Sequence, residues 1–327
     1  MRAKLQRAWY RPATAWWLWL LWPLRWLYGV IFWCHQRFYQ AQSQPCAVPV
    51  IVVGNITLGG SGKSPCVIAL VQYLQNTGWR PGVITRGYKG GAQAFPLLVT
   101  PQMEVAAVGD EAMMICQQVS APVVVDPHRR RGVNYLADYC DCDVIVSDDG
   151  LQHAAMARDI EIAVVDGVYR YGNGRRFPMG PLRDSMARLK TVDYKLCNGG
   201  VPASDEVLMQ LRAEQLYSVV GDHPVSLSLS DGAEIYAVAG IGHPDRFFST
   251  LRALSLSAKT IAFPDHYSFS KSDFHFLKQH DVVIMTAKDA VKCRAFADHR
   301  YLYLPVTALL PSCFLAAITQ ALGQVRK

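Results

Sequence analysis

From residue 48 onward, short runs of Val and Ile alternate with amphipathic stretches. Strand-like runs at 50–53, 82–85, 122–125, 144–147 and 160–165 enclose helix-patterned segments at 63–76, 109–119 and 129–139. Uninterrupted apolar runs of this length suit strands buried on both faces, and the β/α alternation predicts an α/β fold, a mostly parallel sheet with helices on both faces. A glycine-rich stretch at 166–184 interrupts the pattern and reads as a long functional loop. A second alternating block at 234–239, 260–263, 282–285 and 301–304 predicts a smaller α/β domain. The expected division is therefore an N-terminal segment over 1–40, a larger domain over 41–228 and a smaller one over 229–327 that closes over the site.

The first 33 residues carry seven of the eight tryptophans: Trp9, Trp16, Trp17, Trp19, Trp22, Trp26 and Trp33. Tryptophan favours the bilayer interface. The apolar run over 13–34 approaches the length of a spanning helix, but Pro23 and Arg25 interrupt it, and a charge at the bilayer centre is costly. On a helical wheel Arg7, Arg11, Thr14, Arg25 and Gln36 form a polar stripe beside a broad Trp/Leu surface. This favours a helix kinked or broken at Pro23 and lying in a membrane interface, ahead of a single span or a helix packed on another protein. No small-residue cleavage site follows, which argues against a secretory signal.

The run 50–53 leads directly into Gly59-Gly-Ser-Gly-Lys-Ser64, a strand-to-helix turn built to hold a triphosphate in a P-loop NTPase-like fold. Thr57, Leu58, Gly59, Gly60, Ser61, Gly62, Lys63 and Ser64 are the candidate ATP-binding residues. Backbone N–H groups would converge on phosphate oxygens, Lys63 would face the β/γ end, and Ser64 would ligate Mg²⁺. Strict spacing requires glycine at 57, where Thr57 stands. Asp148 and Asp149 close the run 144–147 at the carboxyl end of a strand, where a nucleotide-binding fold places a second metal-side group; which of the two touches the metal is open.

Charge and cysteine content add little. Lys and Arg number 33 against 26 Asp and Glu, a net charge of +7 that suits phosphorylated ligands or an anionic membrane surface. Neither nucleic acid nor a protein partner is indicated. The nine cysteines include no C-x-x-C pair and no zinc spacing, and read as reduced structural residues of a cytoplasmic compartment.

Other chemistry-bearing residues read ambiguously by themselves. Asp110 and Glu111 open a helix, where carboxylates complement the dipole without further purpose. His153 follows Asp149 closely, and His266 lies in a Pro-containing turn beside Asp265. Arg129-Arg-Arg131 could hold an anion, although three successive arginines on a helix point in different directions.

Taken together, Gly54-Asn-Ile-Thr-Leu-Gly-Gly-Ser-Gly-Lys-Ser-Pro65, Thr85-Arg-Gly-Tyr88, Gly109-Asp-Glu111, Ser147-Asp-Asp-Gly-Leu-Gln-His153, Gly172-Asn-Gly174, Gly180-Pro-Leu-Arg183 and Phe263-Pro-Asp-His-Tyr267 resemble the tetraacyldisaccharide 4′-kinase family, the lipid A 4′-kinases. The resemblance implies transfer of the γ-phosphoryl of ATP to the 4′-hydroxyl of a tetraacyl glucosamine disaccharide 1-phosphate, at the cytoplasmic face of the bacterial inner membrane. It implies Asp110 and His266 as a catalytic pair from different domains, joined by closure, with Lys63 offsetting charge. Glu111, Arg129, His153, Asn173 and Arg183 become candidate substrate contacts. The alternative is a membrane-associated P-loop NTPase switch or chaperone. Against a guanine-nucleotide switch, Thr286-Ala-Lys-Asp289 lacks the spacing of a guanine reader.

Overall fold

The protein is described by a computed structural model covering residues 2–11, 14–213, 215–227 and 233–325. In chain order the strands are β1 Val50–Gly54, β2 Pro81–Thr85, β3 Leu97–Leu98, β4 Val123–Val125, β5 Val144–Asp148, β6 Ile160–Asp166, β7 Tyr194–Asn198, β8 Val207–Arg212, β9 Leu216–Ser218, β10 Pro224–Val225, β11 Ile235–Ala239, β12 Lys259–Ala262, β13 Val282–Thr286, β14 Tyr301–Leu304 and β15 Thr307–Leu309. The helices are α1 Arg2–Trp9, α2 Trp22–Gln40, α3 Lys63–Asn76, α4 Val105–Val108, α5 Asp110–Gln118, α6 Arg129–Tyr139, α7 Pro244–Ala253, α8 Ala287–Cys293 and α9 Ser312–Val325.

Among the described residues the strands form two sheets, ordered β15-β8-β7-β6-β1-β5-β2-β4-β3 and β10-β9-β14-β13-β11-β12. In the first, all neighbours from β8 to β4 run parallel, and β3 and β15 add antiparallel edges. The central strands β1, β2, β5 and β6 are buried along their whole length, which is why they read as unbroken apolar runs rather than alternating ones. Apolar side chains pack on both faces of this sheet, one cluster around Leu70, Leu74 and Ile115, the other around Ile84, Leu136 and Met156. In β1 and β5 Val53 stands opposite Asp148, so the turn after β1 and the Asp148-Asp149 corner emerge side by side.

The chain distributes itself between the sheets less simply than its linear pattern suggests. The expected boundary at 228/229 falls among residues 228–232, outside the described residues. Strands β9 and β10, which precede it, belong to the second sheet. After β14 the chain returns: β15 pairs with β8, and α9 lays Phe314, Ile318 and Leu322 into the apolar cluster that supports α3. Tyr73 and Thr319 hydrogen-bond across that contact at 3.1 Å.

The N-terminal segment differs in detail from the kinked helix expected. A 3₁₀ stretch at Trp16–Leu21 leads into α2, with Pro23 in the first turn. There proline costs no hydrogen bond and its fixed φ suits the helix, so it starts α2 instead of breaking it. Because α1 ends at Trp9, Arg7 and Arg11 share no helix with Arg25 and Gln36. The inner face of α2 still carries polar anchors: Gln36 Nε2 donates to the Gln152 carbonyl at 2.8 Å and Tyr28 OH to the Arg183 carbonyl at 3.0 Å. Its outer face leaves Trp22, Leu24, Trp26, Leu27, Val30, Ile31, Trp33 and Phe38 exposed. Trp9, by contrast, is buried and donates through Nε1 to the Pro178 carbonyl at 3.0 Å. Among the described residues, no helix is long and apolar enough to cross a membrane.

Because α9 supports the helix that follows the glycine turn, Ile318→Ala should destabilise the first sheet's fold by about 2–5 kcal/mol through the cavity it leaves. A urea titration checks this. A loss well under about 1 kcal/mol would mean that α9 is not integral to that core.

Candidate active site

The turn from β1 to α3 is braced from several sides. Leu58 N donates to the Pro181 carbonyl at 2.7 Å, Asn198 Nδ2 to the Ser61 carbonyl at 2.9 Å and Gln152 Nε2 to the Asn55 carbonyl at 2.8 Å. Asn55 Nδ2 reaches both Thr57 Oγ1 at 3.2 Å and Ser61 Oγ at 3.1 Å. Left-handed backbone occurs at Gly59 (φ 111°) and Gly62 (φ 92°), where glycine is needed. Thr57 is not among the positive-φ residues. It bridges to Leu182 in strand fashion, and its carbonyl accepts from Arg183 Nε at 3.0 Å. A threonine therefore fits where the strict motif has glycine. Open space stands above Gly60, so an anion can approach its backbone at the N-terminus of α3.

Asp148 and Asp149 have opposite environments. Asp149 takes a bidentate contact from Arg183 at 2.9 and 3.0 Å, and Lys63 Nζ stands 3.6 Å away. Burial would raise its pKa, but Lys63 and Arg183 outweigh burial and hold the carboxyl far below the ordinary range. Asp148 is buried with Oδ1 unpartnered, while its backbone carbonyl accepts from Arg129 at 2.7 Å. Burial, then the charges of Glu111 and Asp149, push this carboxyl up to about 7. A buried carboxyl with an unpartnered oxygen fits a divalent cation, whose charge would join those of Lys63 and Arg129 in offsetting the carboxylates of this corner. Among the described residues no group of three or more His, Cys, Asp or Glu forms a metal cage.

The second constellation joins the two sheets. Asp110 starts α5 after Gly109, and it is 5% exposed. His266 Nδ1 meets its carboxylate at 2.9 and 3.1 Å, with no closing motion needed to pair them. His266 itself has φ 58°, and its N–H donates to the Gly240 carbonyl at 3.1 Å. Helix α8 contributes Lys288 Nζ, 3.1 Å from Glu111 Oε1 and 4.0 Å from Asp110 Oδ2, and Lys292 Nζ, 3.9 Å from Asp110 Oδ2. Burial alone would raise Asp110, but the His266 hydrogen bond and both lysines prevail and hold it below its ordinary value. The glycine turn and the His266 loop meet nearby. A Cβ built on Gly242 would stand 3.6 Å from Asp265 Oδ2 and 3.9 Å from Gly60 N.

The remaining sequence candidates fall into different places. Arg129 is buried beside Asp148, with Nε and Nη1 unpartnered, whereas Arg131 pairs with Asp126 at 2.7 Å and Arg130 turns toward Gln42. His153 is mostly enclosed, and burial, with the charges of Arg129 and Arg86, drives its pKa down to about 3. Arg183 spends its guanidinium on Asn55, Thr57 and Asp149. Asn173 uses its amide to hold its own loop, donating to the Met179 carbonyl at 2.9 Å and accepting from Arg175 N at 3.1 Å.

Sequence reasoning missed Lys288 and Lys292. Their signal is position: Thr286-Ala-Lys-Asp289 leaves the carboxyl end of β13, where sites of parallel sheets gather, and it reads only as a misspaced guanine motif until the second sheet is seen to face the first. Asn55 and Asn198, which brace the glycine turn, carry no sequence signal of their own.

A family model described as tetraacyldisaccharide-1-P 4′-kinase matches residues 17–323. A protein of Psychromonas ingrahamii named tetraacyldisaccharide 4′-kinase is 42% identical over 322 residues, covering 97% of this chain and 99% of its own. One from Vibrio cholerae with the same name is 45% identical over 312 residues, covering 93% and 92%. A crystal structure of "apo" form LpxK from Aquifex aeolicus in complex with ATP superposes with a TM-score of 0.77 at 22% identity, covering 93% of this chain and 99% of that one, a likeness of fold. By the match of its sequence over nearly its whole length, this chain belongs to the tetraacyldisaccharide 4′-kinase family.

Proposed function

We propose that the chain phosphorylates the 4′-hydroxyl of a tetraacyl disaccharide 1-phosphate with ATP, in a cleft between the two sheets. The observation that carries the site assignment is the Asp110–His266 contact at 2.9 Å, formed between a helix of the first sheet and a loop of the second. Such a pair is suited to accepting a hydroxyl proton, and the family supplies the acceptor.

In this reading the backbone of residues 57–62 and the N-terminus of α3 hold the triphosphate, and Lys63 offsets charge on the transferred group. Ser64 and Asp148 would hold Mg²⁺, which when bound would supply positive charge against that developing on the phosphate. Asp149 is already committed to Arg183 and Lys63, so it orients the lysine and steadies the turn. Asp110 takes the proton as the sugar hydroxyl attacks in line, and His266 fixes the carboxylate's orientation. Arg129, with two unpartnered nitrogens, offsets negative charge at Asp148, and His153 lies within the influence of Arg129 and Asp149. Glu111 anchors Lys288. Arg183 and Asn173 shape the 172–183 loop against the glycine turn.

The exposed apolar face of α2 supports attachment to the cytoplasmic face of the inner membrane, lying in the interface plane. In this reading the parts over 1–40, 41–228 and 229–327 serve membrane attachment, nucleotide site and cover, with β9 and β10 exchanged into the second sheet and β15 and α9 returned to the first.

Incubation with labelled ATP and a detergent-dispersed acylated disaccharide 1-phosphate tests the activity. A kinase labels the lipid, whereas a nucleotide switch releases only free phosphate. Asp110→Asn and His266→Ala should each lower turnover, the former by about 10²–10⁴-fold, with ATP affinity unchanged. Near-native turnover by either variant removes that residue from the proposed role.

For the membrane, Trp26→Glu with Ile31→Glu should reduce co-sedimentation with anionic phospholipid vesicles by at least about tenfold. Urea stability should stay within about 0.5 kcal/mol, because both side chains are exposed. Undiminished sedimentation would exclude this face as the contact.

A further inference from the structure

An imidazole can carry its protons in three ways, and the neighbours of His266 choose among them. Nδ1 lies 2.9 Å from Asp110 Oδ2 and 3.1 Å from Oδ1, and a carboxylate only accepts, so Nδ1 holds a proton. Nε2 faces Lys288 Nζ at 3.3 Å. An ammonium only donates, so the Nε2 that meets it must be the bare acceptor. Asp265 Oδ1 stands 3.8 Å from Nε2, beyond hydrogen-bond reach.

The other groups around the ring leave this assignment standing. Lys89 donates to the His266 backbone carbonyl at 3.3 Å, and the Tyr88 ring meets the imidazole in a T-shaped contact at 4.9 Å. Lys292 lies 3.9 Å from Asp110 and 2.7 Å from Asp289. Lys288 has Glu111 at 3.1 Å, Asp265 at 3.9 Å and Asp110 at 4.0 Å. Burial would lower its pKa, yet Glu111, Asp110 and Asp265 outweigh burial and raise it, so the ammonium persists.

We propose that Lys288 is a positioning residue for phosphoryl transfer: its ammonium holds His266 neutral with the proton on Nδ1, so His266 orients Asp110 and cannot itself take up a proton. This inference rests on the reading of Asp110 and His266 as the reacting pair. Without Lys288, Nε2 is open to protonation, and Asp110, Glu111 and Asp265 favour the imidazolium. An imidazolium grips the Asp110 carboxylate more tightly than a neutral ring does, which makes that carboxylate a poorer proton acceptor.

Selective ¹⁵N-histidine labelling of the full chain in detergent reads the tautomer at pH 7, with His266→Gln assigning the two ring signals. The expected wild-type spectrum has Nδ1 protonated and Nε2 bare. Lys288→Met should move Nε2 into the protonated range and shift the acid limb of the kcat profile upward. Turnover on that limb then falls about tenfold and recovers as pH rises. Lys288→Arg keeps a donor and should restore both readouts toward wild type. A wild-type Nε2 that carries a proton overturns the proposal, and so does a Lys288→Met profile that superimposes on the wild type. The wild-type spectrum decides the tautomer even if Lys288→Met fails to fold. Full turnover by Asp110→Asn would sink the base reading while leaving the tautomer seen in the wild-type spectrum unaffected.

Discussion

A single buried carboxylate, Asp110, sets terms for the rest of the molecule. Stranding such a charge without partners costs several kcal/mol, and its own element offers it only the start of a helix. Compensation comes from the other sheet, as His266, Lys288 and Lys292 converge on it from the loop after β12 and from α8. The two sheets are thereby held by a contact that is electrostatic at its centre, and α5 and α8 lie against one another to make it. Helix α8 is itself fixed by Asp289, which accepts from Thr286 Oγ1 at 2.7 Å and from Gly240 N at 2.9 Å. Gly240 in turn offers its carbonyl to the His266 N–H. Asp110, His266 and the two lysines thus form one connected unit spanning both sheets.

The Asp148–Asp149 corner applies the same logic in the opposite direction. Two adjacent carboxyls share a strand end, one saturated by Arg183 and Lys63, the other left with a free oxygen and a raised proton affinity. Environments that drive neighbouring titratable groups apart assign them different work. The saturated one steadies the glycine turn, and the unsatisfied one awaits positive charge. Arg183 links this corner to the Thr57 carbonyl, and because Thr57 does not take a positive φ a β-branched residue is tolerated in a turn whose usual form has glycine.

Much of this was legible in the sequence where one kind of force dominates. Strands β1, β2, β5 and β6 announce themselves because burial on both faces demands apolar residues throughout, and α3 and α6 follow their patterned segments to the residue. The glycine turn is local chemistry and reads locally. Residues whose importance depends on a partner far along the chain do not: Lys288 meets Glu111 at a separation of 177 residues, and nothing within its own segment predicts the meeting. Pro23 misleads for a related reason. Proline forbids a helix interior but favours a first turn, and the sequence does not say where α2 begins.

The amino-terminal segment touches the nucleotide side directly. Leu58, inside the glycine turn, packs with Ala8, Trp9 and Leu18, and Tyr10 OH donates to the Leu58 carbonyl at 3.4 Å. Tyr10 also lies against Tyr169 and against His243, whose ring borders Gly59. Parts expected to be separate, the tryptophan-rich start, the turn and the second sheet, therefore share one packed junction. A hydroxyl anchored to acyl chains moves in a plane; were the amino-terminal segment to lie in the membrane interface as proposed, its contact with the glycine turn would set the height of the phosphate donor above that plane. A flexible tether would attach the protein equally well but would leave the distance between the donor and the membrane plane unset, and orientation within fractions of an ångström is what such transfers rely on.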